Sequence, residues 1–415
     1  MNTALASAPL ASLCLKKNEE RRIRAGHLWV YSNEVDITAT PLKSFEAGQQ
    51  VQLLAHNGKN LGNAYVNPNS LICARLVSRD PQYVLDRSLL VHRLKVALSL
   101  RERLFDKPYY RLAYGETDQL PGLVIDRYND ICVVQITTAG MEGVKEQVLE
   151  AVDKVVHPAG IVLRADSSVR KLEGLDSYQE VIGNVPEQVT LEEHGLSFSV
   201  SLQQGQKTGW FFDQRMNRAR LANYVSGKRV LDVFSYVGAW GLQAAAAGAS
   251  EVLCVDASGP AIDSIQANAG INNLTDTVAT LQGDALEVLA RLRVNQEKFD
   301  VVVLDPPAFI KRKKDAKAGE QAYHRLNQLG MQVLSKDGIL VTASCSHHLS
   351  ESQFRKILLQ SSRHLDRSLQ ILERTPRTGS SGTSCNTGDG LSEGAVLSCV
   401  AGLNKSVCRC VGASS

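Results

Sequence analysis

The sequence contains no apolar run approaching the ~18 residues of a membrane-spanning helix, so nothing in it reads as a helical span. Met1 to Ser12 is mildly apolar but has no charged leader or cleavage pattern, so no secretory signal is expected and the chain is expected in the cytosol. No Cys-x-x-Cys pair occurs before residue 400. Cys408 and Cys410 lie only two apart and no histidine follows them, so no metal site is expected. The nine cysteines are an odd set, which suits reduced thiols better than a disulfide framework. Charge of either sign is hardly in excess: 46 basic and 43 acidic residues leave +3 over 415 residues. Any affinity for nucleic acid must therefore come from local patches. The length allows two or three separate cores.

The stretch that organises the chain, Lys228 to Ser258, is also defined by what it lacks. An apolar run, Val230 to Val233, ends in a turn holding Phe234, Gly238 and Gly241, and an Ala-rich helical stretch follows. A second run, Glu251 to Val255, ends at Asp256, 24 residues after Asp232. That spacing suits a nucleoside-binding unit. The turn has neither G-x-G-x-x-G nor G-K-[ST]; Phe234, Tyr236 and Trp240 crowd it instead, which argues against a polyphosphate. S-adenosylmethionine (SAM) fits better, with ribose hydroxyls for Asp256 and a cationic amino-acid end for Asp232. A generic αβ core unit is the plain alternative.

Residues 12–82 read as a β-rich unit with a hairpin at Asn57-Gly58. Ahead of the hairpin, Lys16, Lys17, Arg21, Arg22 and Arg24 adjoin Trp29 and Tyr31, a mixture that suits an RNA backbone with exposed bases or, equally simply, a solvated charge run beside core aromatics. Residues 83–185 read as a small α+β module: a basic helix over 83–104, a hairpin at Asn129-Asp130, a helix near 141–156 and a strand, IVLRAD. A further hairpin, EQVTLEEHGLSFSVSL, leads to QQGQKTGWFFDQRMNR. Lys207, Thr208, Phe212, Asp213 and Gln214 there suit closure over a bound cofactor; a plain helix start capped by Asp213 is the alternative.

From Asp256 onward strands and helices alternate, which implies a parallel sheet with right-handed crossovers. Asp232, Asp256, Asp284, Asp305 and Cys345 all fall at expected carboxyl ends of strands, where open αβ sheets bind ligands. Asp305 opens a D-P-P-A-F turn stiffened by two prolines. A D/N-P-P-aromatic turn is frequent in methyltransferases that act on amino groups, so alone it favours methylation of a nucleobase without choosing the atom. Cys345 points to carbon 5 of a pyrimidine, an atom too weakly nucleophilic unless a thiolate first adds at carbon 6. Asp305 would then hydrogen-bond the ring, with His347 or His348 assisting the thiol or accepting a proton, although a surface or helix-start residue is the simpler reading of either histidine. A buried inert thiol is the simpler reading of a lone cysteine. Lys311, Arg312, Lys313 and Lys314 follow closely and would hold phosphates around a flipped base; a solvated loop is the alternative.

Together AGHLWVYSNEVD, GETDQLPGLVIDRY, EEHGLSF, QKTGWFFDQR, LDVFSYVGAWG, DPPAF and ASCSHHL resemble, over Cys14 to Leu372, the bacterial large-subunit rRNA cytosine-C5 methyltransferases that begin with a PUA domain and carry an EEHGLxF hairpin. The resemblance implies a PUA RNA-binding domain, a central module and, over 186–373, a Rossmann-like class I methyltransferase domain. It implies SAM as cofactor, 5-methylcytidine in 23S rRNA as product, Cys345 as nucleophile and Asp305 as its partner. The rRNA is expected naked or in an early large-subunit particle, and the oligomeric state, homodimer or other, stays open. N-methylation of a purine, or a noncatalytic RNA-binding assembly factor, are the competing readings. Residues 374–415 depart from the family: they are rich in Gly, Ser and Cys and show no αβ periodicity. A shifted reading frame would spell a family-like ending, with a last strand beside the one that bears the nucleophile; a disordered tail is the alternative.

Overall fold

The computed structural model describes residues 9–203, 205, 208–346 and 348–374, and the backbone of 399–404. The chain divides into two compact units, one of residues 1–189 with 201–212 and one built mainly of 190–200 and 213–378.

The first unit holds two five-stranded sheets. β1 (Ala11–Cys14), β2 (Trp29–Tyr31), β3 (Gln50–Leu54), β4 (Asn60–Val66) and β5 (Ile72–Ser78) run in the order β1-β3-β4-β5-β2, with the short helix α1 (Glu20–Arg24) beside them. In β3 the inward positions Val51 and Leu53 alternate with half-exposed glutamines and Leu54, the period of a one-sided strand. The expected turn at Asn57-Gly58 forms, with Gly58 at φ 78°. The second sheet follows helix α2 (Arg87–Leu104). It comprises β6 (Tyr109–Tyr114), β7 (Leu123–Tyr128), β8 (Ile131–Ile136), β9 (Gly160–Ala165) and β10 (Tyr178–Gly183), with α3 (Ala139–Glu142) and α4 (Lys145–Val156) crossing between β8 and β9. Buried Leu90 and Leu94 of α2 and Val148 and Val152 of α4 share one core with this sheet. Buried Glu173 ties the two sheets, accepting from Asn67 Nδ2 at 2.8 Å and Arg75 at 3.0 Å, and from the Ala139 N–H.

The second unit opens with the hairpin β11 (Val189–Glu193) and β12 (Leu196–Val200), turning at His194 and Gly195, both at positive φ. Then come α5 (Arg215–Val225), β13 (Arg229–Val233), α6 (Ala239–Ala246), β14 (Glu251–Asp256), α7 (Gly259–Ile271), β15 (Val278–Gln282), α8 (Ala285–Val294), β16 (Phe299–Leu304), α9 (Ala316–Val333), β17 (Leu334–Thr342), α10 (Glu351–Arg363), β18 (Ser368–Glu373) and β19 (Cys399–Asn404). The seven-stranded order is β15-β14-β13-β16-β17-β19-β18. The strands β15, β14, β13, β16 and β17 are parallel, as expected; β19 is antiparallel to both β17 and β18, pairing Thr342 with Cys399. Part of the atypical tail thus supplies the strand beside β17. Residues 375–398 and 405–415 lie outside the described residues.

The chain leaves β13 toward β14 and β15, then returns to β16 on the other side of β13. That reversal is a topological switch point, where open αβ sheets form their ligand crevice.

Candidate active site

The loop after β13 is wound tightly. Phe234, Tyr236 and Gly238 have φ of 67°, 53° and 84°, a left-handed conformation costly for the two aromatic residues and common at functional sites. Ser235 holds the coil from inside: its hydroxyl donates to the Asp232 carbonyl at 2.8 Å and accepts from the Val255 N–H at 3.0 Å. Gly238 starts α6, and Gly241, one turn on, lets that helix lie against the sheet. A Cβ at Gly241 would sit 2.4 Å from Cys254 Sγ.

Asp232 is fully buried. Its Oδ2 accepts from the Gly241 N–H at 3.0 Å, whereas its Oδ1 has no hydrogen-bond partner. Burial pushes its carboxyl up to about 7, and the charges of Asp305 and Asp256 act in the same direction. Half-buried Asp256 accepts from the Tyr236 N–H at 2.9 Å through Oδ2 and from the Ser258 N–H through Oδ1. Asp284 is exposed, and its Oδ1 caps α8 by accepting from the N–H groups of Leu286 and Glu287.

Asp305 follows β16 directly and is gripped at both oxygens: Gln214 Nε2 donates to Oδ1 at 3.2 Å and Trp240 Nε1 to Oδ2 at 3.1 Å. Gln214 is the first flanking residue of α5, and its side chain makes no cap there. Asp213 is buried in the short turn ahead of α5. Cys345 was expected at the end of its strand, but β17 stops at Thr342 and the cysteine lies three residues on. Ser344 and Ser346 explain the early stop, because the Ser346 N–H turns back to Ser344 Oγ instead of continuing the ladder. Cys345 is half-buried, and its thiol donates to the Pro306 carbonyl at 3.6 Å, next to Asp305 in the chain. The two loops are joined again by Ser346, whose Oγ accepts from the Ile310 N–H at 3.0 Å and bonds the buried Tyr323 hydroxyl at 2.9 Å.

The structure thus brings Asp232, Phe234, Gly238, Asp256, Gln214, Asp305 and Cys345 to the carboxyl edge of one sheet. Thr208 and Phe212 belong to the first unit, where Tyr128 donates to the Thr208 carbonyl and packs on Phe212. Lys207 and His347 lie outside the described residues, and His348 is exposed. Lys311, Arg312, Lys313 and Lys314 are all exposed, with Arg312 paired to Asp315 at 2.9 Å. In the first unit Lys16, Arg21 and Arg24 are exposed, but Arg22 pairs with Glu34 and lies over the Tyr31 ring. Trp29 donates to Glu116 at 2.6 Å, so these two aromatics pack against protein groups. Asn217, Tyr323 and Ser346 are given no role by their spacing in the sequence, and Trp240 stands there only as an aromatic that crowds the turn. A cavity of about 430 Å³ in the first unit, lined by residues such as Gly48, Gly140 and Val144, carries no titratable side chain and offers no chemistry.

Residues 13–79 match the PUA-like domain family and residues 168–377 match the S-adenosylmethionine-dependent methyltransferase family. The chain is 37% identical over 369 residues to ribosomal RNA large subunit methyltransferase I of Aliivibrio fischeri (strain ATCC 700601 / ES114), covering 88% of this chain and 92% of that protein. It is 34% identical over 368 residues to the protein of the same name from Escherichia coli O1:K1 / APEC, covering 87% and 92%. In fold it is similar to a methyltransferase crystallised with SAH (TM-score 0.81, 21% identity) and to a SAM-dependent methyltransferase from Streptococcus mutans (TM-score 0.79, 22% identity), each over 95% of this chain and all of the other. The donor set fits such a ligand: an acid with one orphaned buried oxygen, Asp232, and a second acid, Asp256, two strand ends that flank a coiled glycine turn.

Proposed function

Because the chain belongs to the ribosomal RNA large subunit methyltransferase I family and is a SAM-dependent methyltransferase, we propose that it methylates carbon 5 of a cytidine in 23S ribosomal RNA, with Cys345 as nucleophile. When bound, SAM supplies an electrophilic methyl group. The Cys345 thiolate adds to carbon 6 of the ring, carbon 5 becomes enamine-like and takes the methyl, and loss of the carbon 5 proton to a base expels the thiolate. Asp305 hydrogen-bonds the ring edge while charge develops there. Asp232 would hold the cationic end of the cofactor and Asp256 its ribose hydroxyls. The basic residues of the PUA-like domain and of the loop at 311–314 hold RNA phosphates.

One observation carries this reading: the 3.6 Å contact that sets Cys345 beside the DPP turn. Three of the other described cysteines are fully buried and suit the role poorly. Burial pushes the thiols of Cys73 and Cys132 up to about 12 and that of Cys254 well above the usual range. RNA containing 5-fluorocytidine tests it, because fluorine cannot leave as a proton and the adduct persists. Wild type should form a denaturation-resistant complex with this RNA in the presence of SAM, and Cys345→Ala should form none while losing more than about a thousandfold in turnover. Turnover retained in Cys345→Ala, or methyl found on a nitrogen, would end the carbon 5 reading and favour N-methylation.

A further inference from the structure

Tyr323 carries a hydroxyl into a place that an apolar core would fill with carbon. Its ring lies in a buried cluster with Ile310, Leu349, Phe354, Ile357 and Leu358, 4.7 Å from the Phe309 ring and edge-on to Phe354 at 5.5 Å. That packing would serve a phenylalanine equally well, and a buried hydroxyl is costly unless it is bonded. Here it is bonded to Ser346 Oγ at 2.9 Å, and the same Oγ accepts from the Ile310 N–H at 3.0 Å. One buried serine hydroxyl therefore ties three segments: α9, the chain that follows the D-P-P turn, and the loop that carries Cys345. Ser344 and Ser346, on either side of the cysteine, are each 1% exposed, and the Ser346 N–H donates to Ser344 Oγ at 3.3 Å. With both neighbours held inward, Cys345 is left half-buried, its thiol on the Pro306 carbonyl. Tyr323 is itself fully buried, and burial raises its phenol above the usual range. It stays protonated and out of reach of a nucleobase, so it cannot be the acceptor of the carbon 5 proton.

We propose that Tyr323 and Ser346 are positioning residues that latch the loop of Cys345 to the D-P-P turn and so set the line along which the thiolate meets carbon 6. Such a role presupposes Cys345 as the nucleophile, because addition needs the sulfur aligned with one face of the ring. The chain leaves β17 after Thr342, so strand geometry no longer sets its course at the cysteine. The serine bonds take over that task.

The test uses RNA containing 5-fluorocytidine, with RNA and SAM both saturating. The amount of trapped adduct then counts competent enzyme, and the rate constant of its formation reports how the thiol is presented. Tyr323→Phe keeps the ring and removes one oxygen. Its rate constant, and its kcat on unmodified RNA, should fall roughly ten- to a hundredfold, with KM for RNA and SAM within about threefold. Ser346→Ala should slow adduct formation comparably and carries the test if Tyr323→Phe does not fold. The double variant should lie within about threefold of the slower single, because the same bond is lost in all three. Phe354→Leu loosens the same cluster without touching either hydroxyl; it should melt at lower temperature yet keep the rate constant within about threefold of wild type. A wild type that traps no adduct refutes Cys345 as nucleophile, and the latch falls with it. With wild-type adduct in hand, an unchanged rate constant in Tyr323→Phe or Ser346→Ala, or an equal slowing in Phe354→Leu, overturns the positioning role and leaves the nucleophile standing.

Discussion

Asp232 makes the stability of the fold depend on pH. Its carboxyl is raised from 3.8 to about 7, first by burial and then by Asp305 and Asp256. Between those values the folded chain holds a proton that the unfolded chain has lost. Stability therefore falls as pH rises from about 4 to about 7, by about 4 kcal/mol from this group. Other carboxylates titrate in the same range, so the difference between wild type and Asp232→Asn isolates the effect. In urea melts the variant should lose less stability than wild type between pH 5 and pH 8. The same carboxylate should attract the cationic end of SAM only once ionised, so SAM affinity of wild type should rise with pH toward about 7 and level off. Calorimetric titration of Asp232→Asn should show weaker binding and no such rise. A variant that binds SAM as tightly as wild type would remove Asp232 from the cofactor contacts.

The hairpin β11–β12 shows what one element needs in order to stay in place. Glu193, 2% exposed, takes two bonds from Arg218, at 2.6 and 2.8 Å, and a third from Gln243 Nε2 at 2.7 Å. Along the other strand, Asn272, the residue that ends α7, exchanges bonds with both backbone groups of Ser197, and Asn268, one helical turn earlier, does the same with Ser199; the two side chains act as an extra strand. Glu193→Ala strands a buried guanidinium and should cost roughly 3–5 kcal/mol in denaturant melts. The double variant with Arg218→Met should recover much of that loss; a double as unstable as the single would show that the charge is not what matters. The hairpin itself was legible from its alternation and turn, and so were the strand-end acids, because local periodicity encodes both. Its anchors were not, since Asn268 and Asn272 look like any polar helix positions and their partners lie 69 and 75 residues away. The same holds for Gln214: its polar density beside the cofactor unit was visible, but the amide relay to Asp305 exists only in three dimensions.

At the scale of the whole molecule, a net charge of +3 gives little long-range pull on RNA. Binding must depend on local clusters, and the cluster at 311–314 can be tested residue by residue. Each phosphate neutralised by a lysine releases counterions and adds about 0.7 to the slope of log affinity against log salt for single-stranded RNA. Replacing Lys311, Lys313 and Lys314 together by alanine should reduce that slope by about 2 in anisotropy titrations between about 50 and 300 mM KCl, equally for RNAs of different sequence. Arg312 is already balanced by Asp315 at 2.9 Å, so Arg312→Ala should move the slope by less than a lysine does. The triple variant should raise KM for RNA and leave kcat nearly intact at saturation, as expected of a loop whose part is to hold phosphates. A slope equal to wild type in the triple variant would mean that the loop is a solvated charge run, and that the phosphate contacts lie elsewhere, for instance at Lys16, Arg21 and Arg24.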